Sequence, residues 1–272
     1  MSTPERIAPD IDFENELSGL FDLDGKVVFL PGGYGDLGEA IAWGLAQRGA
    51  RIVIAGRDLE KATGLAARIA NAGHAAEGLA CDVTDVDAIR GTVDRIAGDH
   101  GGLDILVNCV GIQREQPILE VTEEAYDEVY QVNLKAAMFL AQAAARHQVE
   151  RGGGKQVHLL SVRAQLGLRN RGYSAYCSTK GGLVMLVKQH AVELARHDIT
   201  VNGVAPTFVY TEMIRHVMEN PEFRQALNER IPLGRIADPK DVVGPVLFFC
   251  SPASDFVTGQ ILYVDGGITA SQ

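Results

Sequence analysis

Short apolar runs alternate with segments of helical periodicity along the chain from residue 26 onward. Continuous apolar runs bounded by glycine or polar residues are typical of strands that are buried on both faces of a sheet. Apolar positions spaced three and four apart are typical of helices with one buried face. The pattern predicts strands at 27–30, 51–55, 74–79, 105–108, 156–160, 200–204 and 261–264. It predicts helices at 37–47, 59–72, 86–97, 123–146, 174–196 and 239–250.

This regular alternation predicts an α/β fold with one doubly wound parallel sheet of about seven strands, of the Rossmann type. A length of 272 residues fits one such domain. We assign residues 25–272 to this domain and residues 1–24 to an N-terminal extension, mobile in its first part, with a short apolar-spaced element at 13–21. Prolines 221 and 232 punctuate a segment at about 207–235, which is predicted to form a lid over the ligand site.

Composition and charge narrow the classes of protein and partner. The chain is 46% hydrophobic and 22% charged, which is ordinary for a globular protein, and its net charge of -10 disfavours nucleic-acid or anionic-membrane partners. No apolar run approaches the roughly 18 to 20 residues that span a bilayer, and the acidic N-terminus lacks a secretory signal. A cytoplasmic location is therefore expected. The four cysteines lack zinc-type spacing, and no metal site is predicted.

A glycine-rich loop joins the first predicted strand to the first predicted helix. It reads Pro-Gly-Gly-Tyr-Gly-Asp-Leu-Gly at 31–38, and Gly33, Gly35 and Gly38 satisfy the GxGxxG pattern. Glycines at this position allow a tight turn and close approach of a pyrophosphate to the N-terminus of the helix. The loop therefore predicts dinucleotide binding, and the alternative is a plain strand-to-helix turn.

The end of the second strand bears on the choice of dinucleotide. A carboxylate at this position binds the free 2'-hydroxyl of NAD, whereas an arginine accommodates the 2'-phosphate of NADP. Here the strand ends in Ile-Ala-Gly followed by Arg57, with no carboxylate at the tip. NADP(H) is therefore favoured. NAD(H) is the alternative if Arg57 is only a solvated residue at the start of a helix.

A tyrosine and a lysine four residues apart carry the predicted chemistry. Tyr176 and Lys180 share one face of a helix that follows the fifth strand. A nearby ammonium lowers the pKa of a phenol, so this tyrosine is predicted to exchange a proton with an alcohol or carbonyl near neutral pH. Ser161, at the carboxyl end of that strand, is placed to hold the substrate oxygen. Asn133 lies within a predicted helix, which suggests a buried structural or water-holding role.

In order and spacing, these residues resemble the short-chain dehydrogenases/reductases over about residues 25–272. The matching pieces are the glycine loop, 81–83, 108–111, Asn133, Ser161, Tyr176 with Lys180, 202–206, Thr211 and 264–267. The resemblance implies a dinucleotide-binding oxidoreductase that interconverts a secondary alcohol and a ketone. It implies that Tyr176 is the general acid/base, that Lys180 binds the nicotinamide ribose and tunes Tyr176, that Ser161 orients the reacting oxygen and that Asn133 holds a water of a proton relay. The implied cofactor contacts are Gly32, Gly33, Gly35, Leu37, Gly38, Arg57, Asp82, Val83, Asn108, Gly111, Tyr176, Lys180, Val209 and Thr211.

The glycine loop departs from the usual family pattern. Pro31 stands where most members have threonine, and Asp36 stands where the commoner spacing has glycine. Gly35 matches instead the spacing of the family's extended branch. A carboxylate beside a pyrophosphate repels it unless it points away or binds the ribose. Thr207 also replaces a usual glycine after Pro206.

Polar side chains in two loops suggest the substrate. Gln113, Arg114, Arg163 and Gln165 suit carboxylates and hydroxyls. The stretch at 111–114 is similar to that of gluconate 5-dehydrogenases and related sugar-acid members of the family. A sugar acid or polyol is therefore predicted, with gluconate and its 5-keto form as the best single choice. For each arginine, a surface charge or a salt bridge is the alternative.

Two other functions stay open at this point. The first is reduction of a 3-oxoacyl thioester, although the acidic chain disfavours an acidic carrier protein. The second is a catalytically weak protein that senses the cofactor. The long helices predicted at 123–146 and 174–196 have broad apolar faces, and in the family the matching helices build a subunit interface. A homo-tetramer acting on a small molecule is therefore predicted.

Overall fold

The computed structural model describes residues 17–211 and 219–271, without the side chain of Phe223. Within them a seven-stranded sheet has the order β3-β2-β1-β4-β5-β6-β7, and every neighbouring pair of strands is parallel. The strands are β1 (Val27–Pro31), β2 (Arg51–Gly56), β3 (Ala76–Ala80), β4 (Ile105–Asn108), β5 (Gly154–Leu159), β6 (Ile199–Pro206) and β7 (Ile261–Val264). The predicted doubly wound parallel fold is confirmed.

Helices connect the strands and cover the sheet. They are α1 (Asp36–Ala46), α2 (Leu59–Asn71), α3 (Val86–His100), α4 (Glu123–Tyr130), α5 (Ala136–Arg151), α6 (Ser174–Leu194), α7 (Pro221–Arg230) and α8 (Pro239–Cys250). The single helix predicted at 123–146 is interrupted, because a π-helical turn at Gln131–Lys135 separates α4 from α5. Such turns are frequent at functional sites, and apolar spacing alone does not reveal them.

The central strands place side chains in both faces of the sheet. In β1, Val28 and Leu30 join a core cluster with α1, α2 and α8, whereas Val27 and Phe29 join a second cluster with α3 and α5. All five residues of β1 are buried. Burial on both faces explains why this strand is an unbroken apolar run rather than an alternating one.

The strand order reverses between β1 and β4. The chain builds β2 and β3 on one side of β1 and then crosses over to β4 on the other side. At such a switch point the connecting loops leave in opposite directions, and a crevice opens at the carboxyl ends of the strands. The glycine loop follows β1 at this edge, so the topology places it beside the loops that follow β4 and β5.

The segment before β1 contacts the domain. Leu23 is 1% exposed within a core cluster, and its amide donates to the Arg48 carbonyl at 2.8 Å. The Leu20 carbonyl accepts from the amide of Ala253 at 2.9 Å. Residues 1–16, and with them half of the predicted element at 13–21, lie outside the described residues. Residues 212–218 of the predicted lid also lie outside the described residues. The later part of that segment contains α7.

The described ranges contain neither a membrane-spanning helix nor a cluster of metal-binding side chains. Across residues 17–211 and 219–271, no helix is both long and apolar enough to cross a membrane. In the same ranges, no group of three or more His, Cys, Asp or Glu side chains is arranged to hold a metal ion.

A buried polar pair joins β4 to β5. Asn108 and His158 are register partners, and the Asn108 Nδ2 donates to the His158 Nδ1 at 3.3 Å. The His158 proton therefore lies on Nε2, which has no hydrogen-bond partner among the described residues. Burial, together with the nearby His190 and Lys180, lowers the pKa of His158 from 6.5 to about 3. The imidazole is therefore neutral throughout the physiological range.

We expect His158 to make the protein sensitive to acid. The folded chain keeps the imidazole neutral down to about pH 3, whereas the unfolded chain binds a proton near pH 6.5. Stability is therefore lost as the pH falls through this window, by about 2 kcal/mol at pH 5. Urea unfolding at pH 7 and pH 5 should show that the wild type loses about 2 kcal/mol more than His158→Gln does. Equal losses in the two proteins would contradict this explanation.

Candidate active site

A cleft of about 330 Å³ opens at the carboxyl ends of β1, β4, β5 and β6. Its walls come from the glycine loop, from the turns after β4 and β5, from the start of α6 and from the segment after β6. The lining residues include Gly32, Gly35, Asp36, Leu37, Gly38, Gly111, Gln113, Ser161, Arg163, Tyr173, Tyr176, Lys180, Thr207, Val209 and Thr211. The cleft therefore lies at the edge of the sheet where the topology favours a ligand.

Ser161, Tyr176 and Lys180 meet in this cleft. Tyr176 and Lys180 lie one turn apart on α6, with the Lys180 Nζ 5.5 Å from the centroid of the Tyr176 ring. The Lys180 Nζ donates to the Leu159 carbonyl at 2.8 Å, which ties α6 to the end of β5. Ser161 follows two residues after Leu159, and its side chain lies near enough to Tyr176 to affect the pKa of that tyrosine. The structure thus brings together the three side chains that were predicted from the sequence to carry the chemistry.

The pKa of Tyr176 differs from the expectation. Burial raises it to about 12, against the opposing effects of the Ser161 side chain and of the Arg163 charge. The predicted lowering was wrong for the protein by itself, because desolvation of the phenolate is the largest influence on this pKa and Lys180 is not among the groups that lower it. Burial also lowers the pKa of Lys180 to about 8. At neutral pH Tyr176 is therefore a protonated hydroxyl, suited to donate to a carbonyl oxygen.

Asn133 lies in the π-helical turn and is fully buried. Its Oδ1 accepts from the Ile112 amide at 2.8 Å, and its Nδ2 donates to the Ile112 carbonyl at 2.9 Å. The Nδ2 also donates to the Thr179 Oγ1 at 3.2 Å. Asn133 therefore clamps the turn after β4 onto α6, next to Lys180. Its implied role in a proton relay stays a prediction.

The glycine loop has the shape of an anion cradle. Gly32 has a φ of +76°, and a Cβ there would lie 2.9 Å from the Cys109 backbone. A Cβ at Gly38 would collide with the Gly32 carbonyl, whereas one at Gly35, the N-cap of α1, would meet nothing closer than 3.6 Å. The backbone at Gly35, before α1, is thus open to the close approach that a pyrophosphate requires. Gly33 differs, because a Cβ there would collide with Leu30 rather than face the cleft.

Two residues of the loop complicate this cradle. Asp36 is the first residue of α1 and lines the cleft. The helix dipole favours a carboxylate at this position, but the same carboxylate would compete with a phosphate for the N-terminus of the helix. Tyr34 was missed in the sequence reasoning, and its only signal was its place in the loop. A Cβ at Gly56 would collide with the Tyr34 ring, and the Tyr34 hydroxyl accepts from the Asp58 amide at 3.2 Å. Tyr34 therefore supports the end of β2, where Arg57 lies.

The residues predicted to contact the adenosine follow β2 and β3. Arg57 is exposed after β2, and its charge contributes to a lowered pKa of Asp82. The larger contribution is from Thr84, whose amide and hydroxyl both donate to the Asp82 carboxylate. Val83 packs against the core. These three residues lie at the same edge of the sheet as the cleft but do not line it.

The residues predicted to contact the rest of the cofactor fall into two groups. Asn108 is buried beneath the cleft, where its Oδ1 accepts from the Val110 amide at 3.0 Å and so shapes the turn after β4. Gly111 lines the cleft, and a Cβ there would lie 3.5 Å from the Lys180 Nζ. Val209 and Thr211 line the opposite part of the wall, after β6.

Of the four residues predicted to bind the substrate, two line the cleft and two lie outside it. Gln113 and Arg163 line the cleft, whereas Gln165 is exposed outside it. Arg114 is also outside, because its guanidinium forms two 2.7 Å hydrogen bonds with the Glu128 carboxylate at the surface. For Arg114 the structure therefore matches the alternative of a salt bridge. Thr207, noted in the sequence only as a departure, lines the cleft as well.

Comparison with known proteins places this geometry in a family. A family model described as enoyl-(acyl carrier protein) reductase matches residues 35–269. The chain is 39% identical to the gluconate 5-dehydrogenase of Gluconobacter oxydans, over 93% of this chain and 98% of the relative. It is 37% identical to the 5-keto-D-gluconate 5-reductase of Escherichia coli, with the same two coverages.

Solved structures and other relatives support the same family assignment. A gluconate 5-dehydrogenase from Burkholderia cenocepacia, solved with NADP and tartrate, superposes with a TM-score of 0.90 at 37% identity, covering 93% of this chain and 99% of that one. A D-threitol dehydrogenase from Mycolicibacterium smegmatis is 34% identical over 99% of both chains. A 3-oxoacyl-(acyl-carrier-protein) reductase from Aquifex aeolicus is 36% identical over 90% of this chain and 98% of the relative. Fold, site geometry and these similarities together show that the chain belongs to the short-chain dehydrogenase/reductase family of oxidoreductases.

Proposed function

We propose that this protein is an NADP(H)-dependent oxidoreductase that interconverts a secondary alcohol and a ketone on a sugar acid or polyol, with gluconate and 5-ketogluconate as the best single pair. One observation carries the choice of substrate class. Gln113, Arg163 and Thr207 line the cleft, and each has buried polar atoms that lack a hydrogen-bond partner within the described residues. A polyhydroxylated substrate can satisfy such atoms, whereas an acyl chain would leave them desolvated and unpaired.

The similarities support the same substrate class. The Gluconobacter and Escherichia relatives are named for gluconate and 5-ketogluconate, and the Burkholderia structure contains NADP. The threitol dehydrogenase widens the class to neutral polyols. The reductase from Aquifex aeolicus keeps a 3-oxoacyl thioester as the second candidate. A cofactor-sensing role is disfavoured, because Ser161, Tyr176 and Lys180 are assembled in one cleft.

The residues of this chain divide the chemistry among them. When bound, the nicotinamide cofactor supplies the hydride for reduction or accepts it in oxidation. Tyr176 gives its hydroxyl proton to the substrate oxygen during reduction and takes a proton back during oxidation. Ser161 holds that oxygen beside Tyr176. Lys180 is held by Leu159, and its position next to Gly111 suits a contact with the nicotinamide ribose.

The cofactor is held at the glycine cradle and at the end of β2. The open backbone at Gly35 and the N-terminus of α1 suit a pyrophosphate. Arg57, after β2, suits the 2'-phosphate of NADP. Val209 and Thr211 would contact the carboxamide side.

Replacement of Tyr176 tests the reaction. Tyr176→Phe removes the proton donor and should lower kcat by about 100- to 10,000-fold. Initial rates would be followed by nicotinamide absorbance with gluconate, 5-ketogluconate, sorbitol and an acetoacetyl thioester, each with NADP(H) and NAD(H). Tyr263→Phe, on β7 and outside the cleft, is the matched control and should keep wild-type rates. Turnover of the thioester alone would move the protein to the second candidate.

Replacement of Arg57 tests the cofactor preference. Arg57→Ala should raise the KM for NADP by about 10- to 100-fold, because it removes charge-assisted hydrogen bonds to the 2'-phosphate. The KM for NAD should change by less than about threefold, since NAD lacks that phosphate. Arg51→Ala, exposed at the other end of β2, is the matched control. A parallel rise for both cofactors would assign Arg57 to a structural role.

We also propose that the protein assembles as a homo-tetramer. Met185 and Val192 lie two turns apart on α6 and are 60% and 76% exposed, and Tyr126 and Tyr130 are half-exposed on α4. Such apolar surfaces are typical of subunit interfaces. Light scattering after size exclusion should give four times the 29.2 kDa of one chain. Met185→Glu with Val192→Glu should lower this mass, and a wild-type monomer would contradict the proposal.

A further inference from the structure

Arg163 is an unusual arginine because it is buried without a carboxylate partner among the described residues. It lies on the short turn Val162–Ala164 after Ser161 and is 5% exposed. Buried arginines are ordinarily paired with an acid, since an unpaired charge is costly in the interior. Across residues 17–211 and 219–271, no Asp or Glu forms an ion pair with Arg163, whereas Arg114 and Arg171 both have one. The positive charge of Arg163 is therefore uncompensated within this part of the chain.

The guanidinium is nevertheless held firmly in place. Its Nη1 donates to the Leu166 carbonyl at 3.1 Å and to the Gly167 carbonyl at 2.8 Å. The backbone amide of Arg163 donates to the Ser161 Oγ at 3.1 Å, so the turn is tied to the residue that holds the reacting oxygen. The Nη2 is buried and has no hydrogen-bond partner among the described residues. One donor of a positioned guanidinium thus lacks an acceptor.

The groups around Arg163 do not neutralise it. Tyr173, Tyr176 and Cys177 lie close enough to interact with its charge, and all three are neutral at physiological pH because burial raises each pKa. Among the described residues, the charged group that acts on Arg163 is Arg230, a second cation at the end of α7. Both cations belong to a chain with a net charge of -10. A locally positive site in an acidic protein favours an anionic ligand.

We propose that Arg163 binds the carboxylate of the substrate through its Nη2 and thereby selects sugar acids over neutral polyols. The inference rests on the proposed function and narrows it, because the polar lining of the cleft suits both classes of substrate. A carboxylate at this position gives the orphan donor a charge-assisted hydrogen bond. Since Ser161 and Tyr176 hold the reacting oxygen nearby, Arg163 fixes which end of the substrate is oxidised.

The test compares an acid and a neutral substrate of equal chain length. Gluconate and sorbitol would be assayed with NADP for the wild type, Arg163→Lys and Arg163→Gln. Arg163→Gln should raise the KM for gluconate by about 10- to 100-fold, and Arg163→Lys, which keeps the charge, by less. The kcat/KM for sorbitol should change by less than about threefold in both variants. Arg95→Gln, exposed on α3 and paired with Asp99, is the charge-matched control.

A structural role for Arg163 gives a different result. If the residue only holds the loop at 166–167, Arg163→Gln should lower kcat/KM for gluconate and sorbitol by the same factor, and the proposal is overturned. Unchanged kinetics with gluconate, or a wild type that prefers sorbitol, overturns it as well. The affinity for NADP, measured by fluorescence titration, confirms that each variant is folded.

A second measurement separates this proposal from the proposed function. If the wild type oxidises neither substrate, calorimetric titration of tartrate into the NADP-loaded protein tests the anion site directly. Tartrate binding by the wild type that is lost in Arg163→Gln supports the carboxylate site even though the assigned reaction fails. Equal binding by both proteins, or no binding by either, overturns it.

Discussion

The hydrogen bond from Lys180 to the Leu159 carbonyl is the contact on which the geometry of the site depends. It is 2.8 Å long, it is buried, and it joins α6 to the carboxyl end of β5. Tyr176 lies one helical turn before Lys180, and Ser161 lies two residues after Leu159. This bond therefore helps to set the distance between Tyr176 and Ser161. The cost is a buried ammonium, visible in the lowered pKa of Lys180.

The turn after β4 is the second support of the site. Asn108 fixes its start through the Val110 amide, and Asn133 fixes its end through both polar atoms of the Ile112 backbone. Gly32 closes against the same turn so tightly that a Cβ would not fit. The glycine loop is therefore shaped by its packing against β4 as much as by its own sequence. This explains how the loop can keep a cradle while carrying Pro31 and Asp36 in place of the usual residues.

The fold, and the meeting of Ser161, Tyr176 and Lys180 in one cleft, could be predicted because their signals are local. Apolar runs reveal strands that are buried on both faces, and the spacing of Tyr176 and Lys180 reveals a shared helical face. The raised pKa of Tyr176 could not be predicted, because desolvation depends on the packing of distant segments. The two arginines show the same limit. Arg114 and Arg163 both lie in loops and both were predicted to bind the substrate, but Glu128 of α4 neutralises the first and no described acid neutralises the second.

Several polar groups of the cleft are unfavourable for the stability of the protein by itself. Gln113, Arg163 and Thr207 each bury polar atoms that have no partner in the part of the chain that the structure describes, and each such group costs about 1–3 kcal/mol. A fold of marginal stability tolerates such costs where they serve binding. A ligand that supplies the missing partners recovers part of this free energy, and one that lacks them does not. Discrimination by a site of this kind therefore depends less on the contacts a good substrate adds than on the unpaired groups a poor substrate leaves behind.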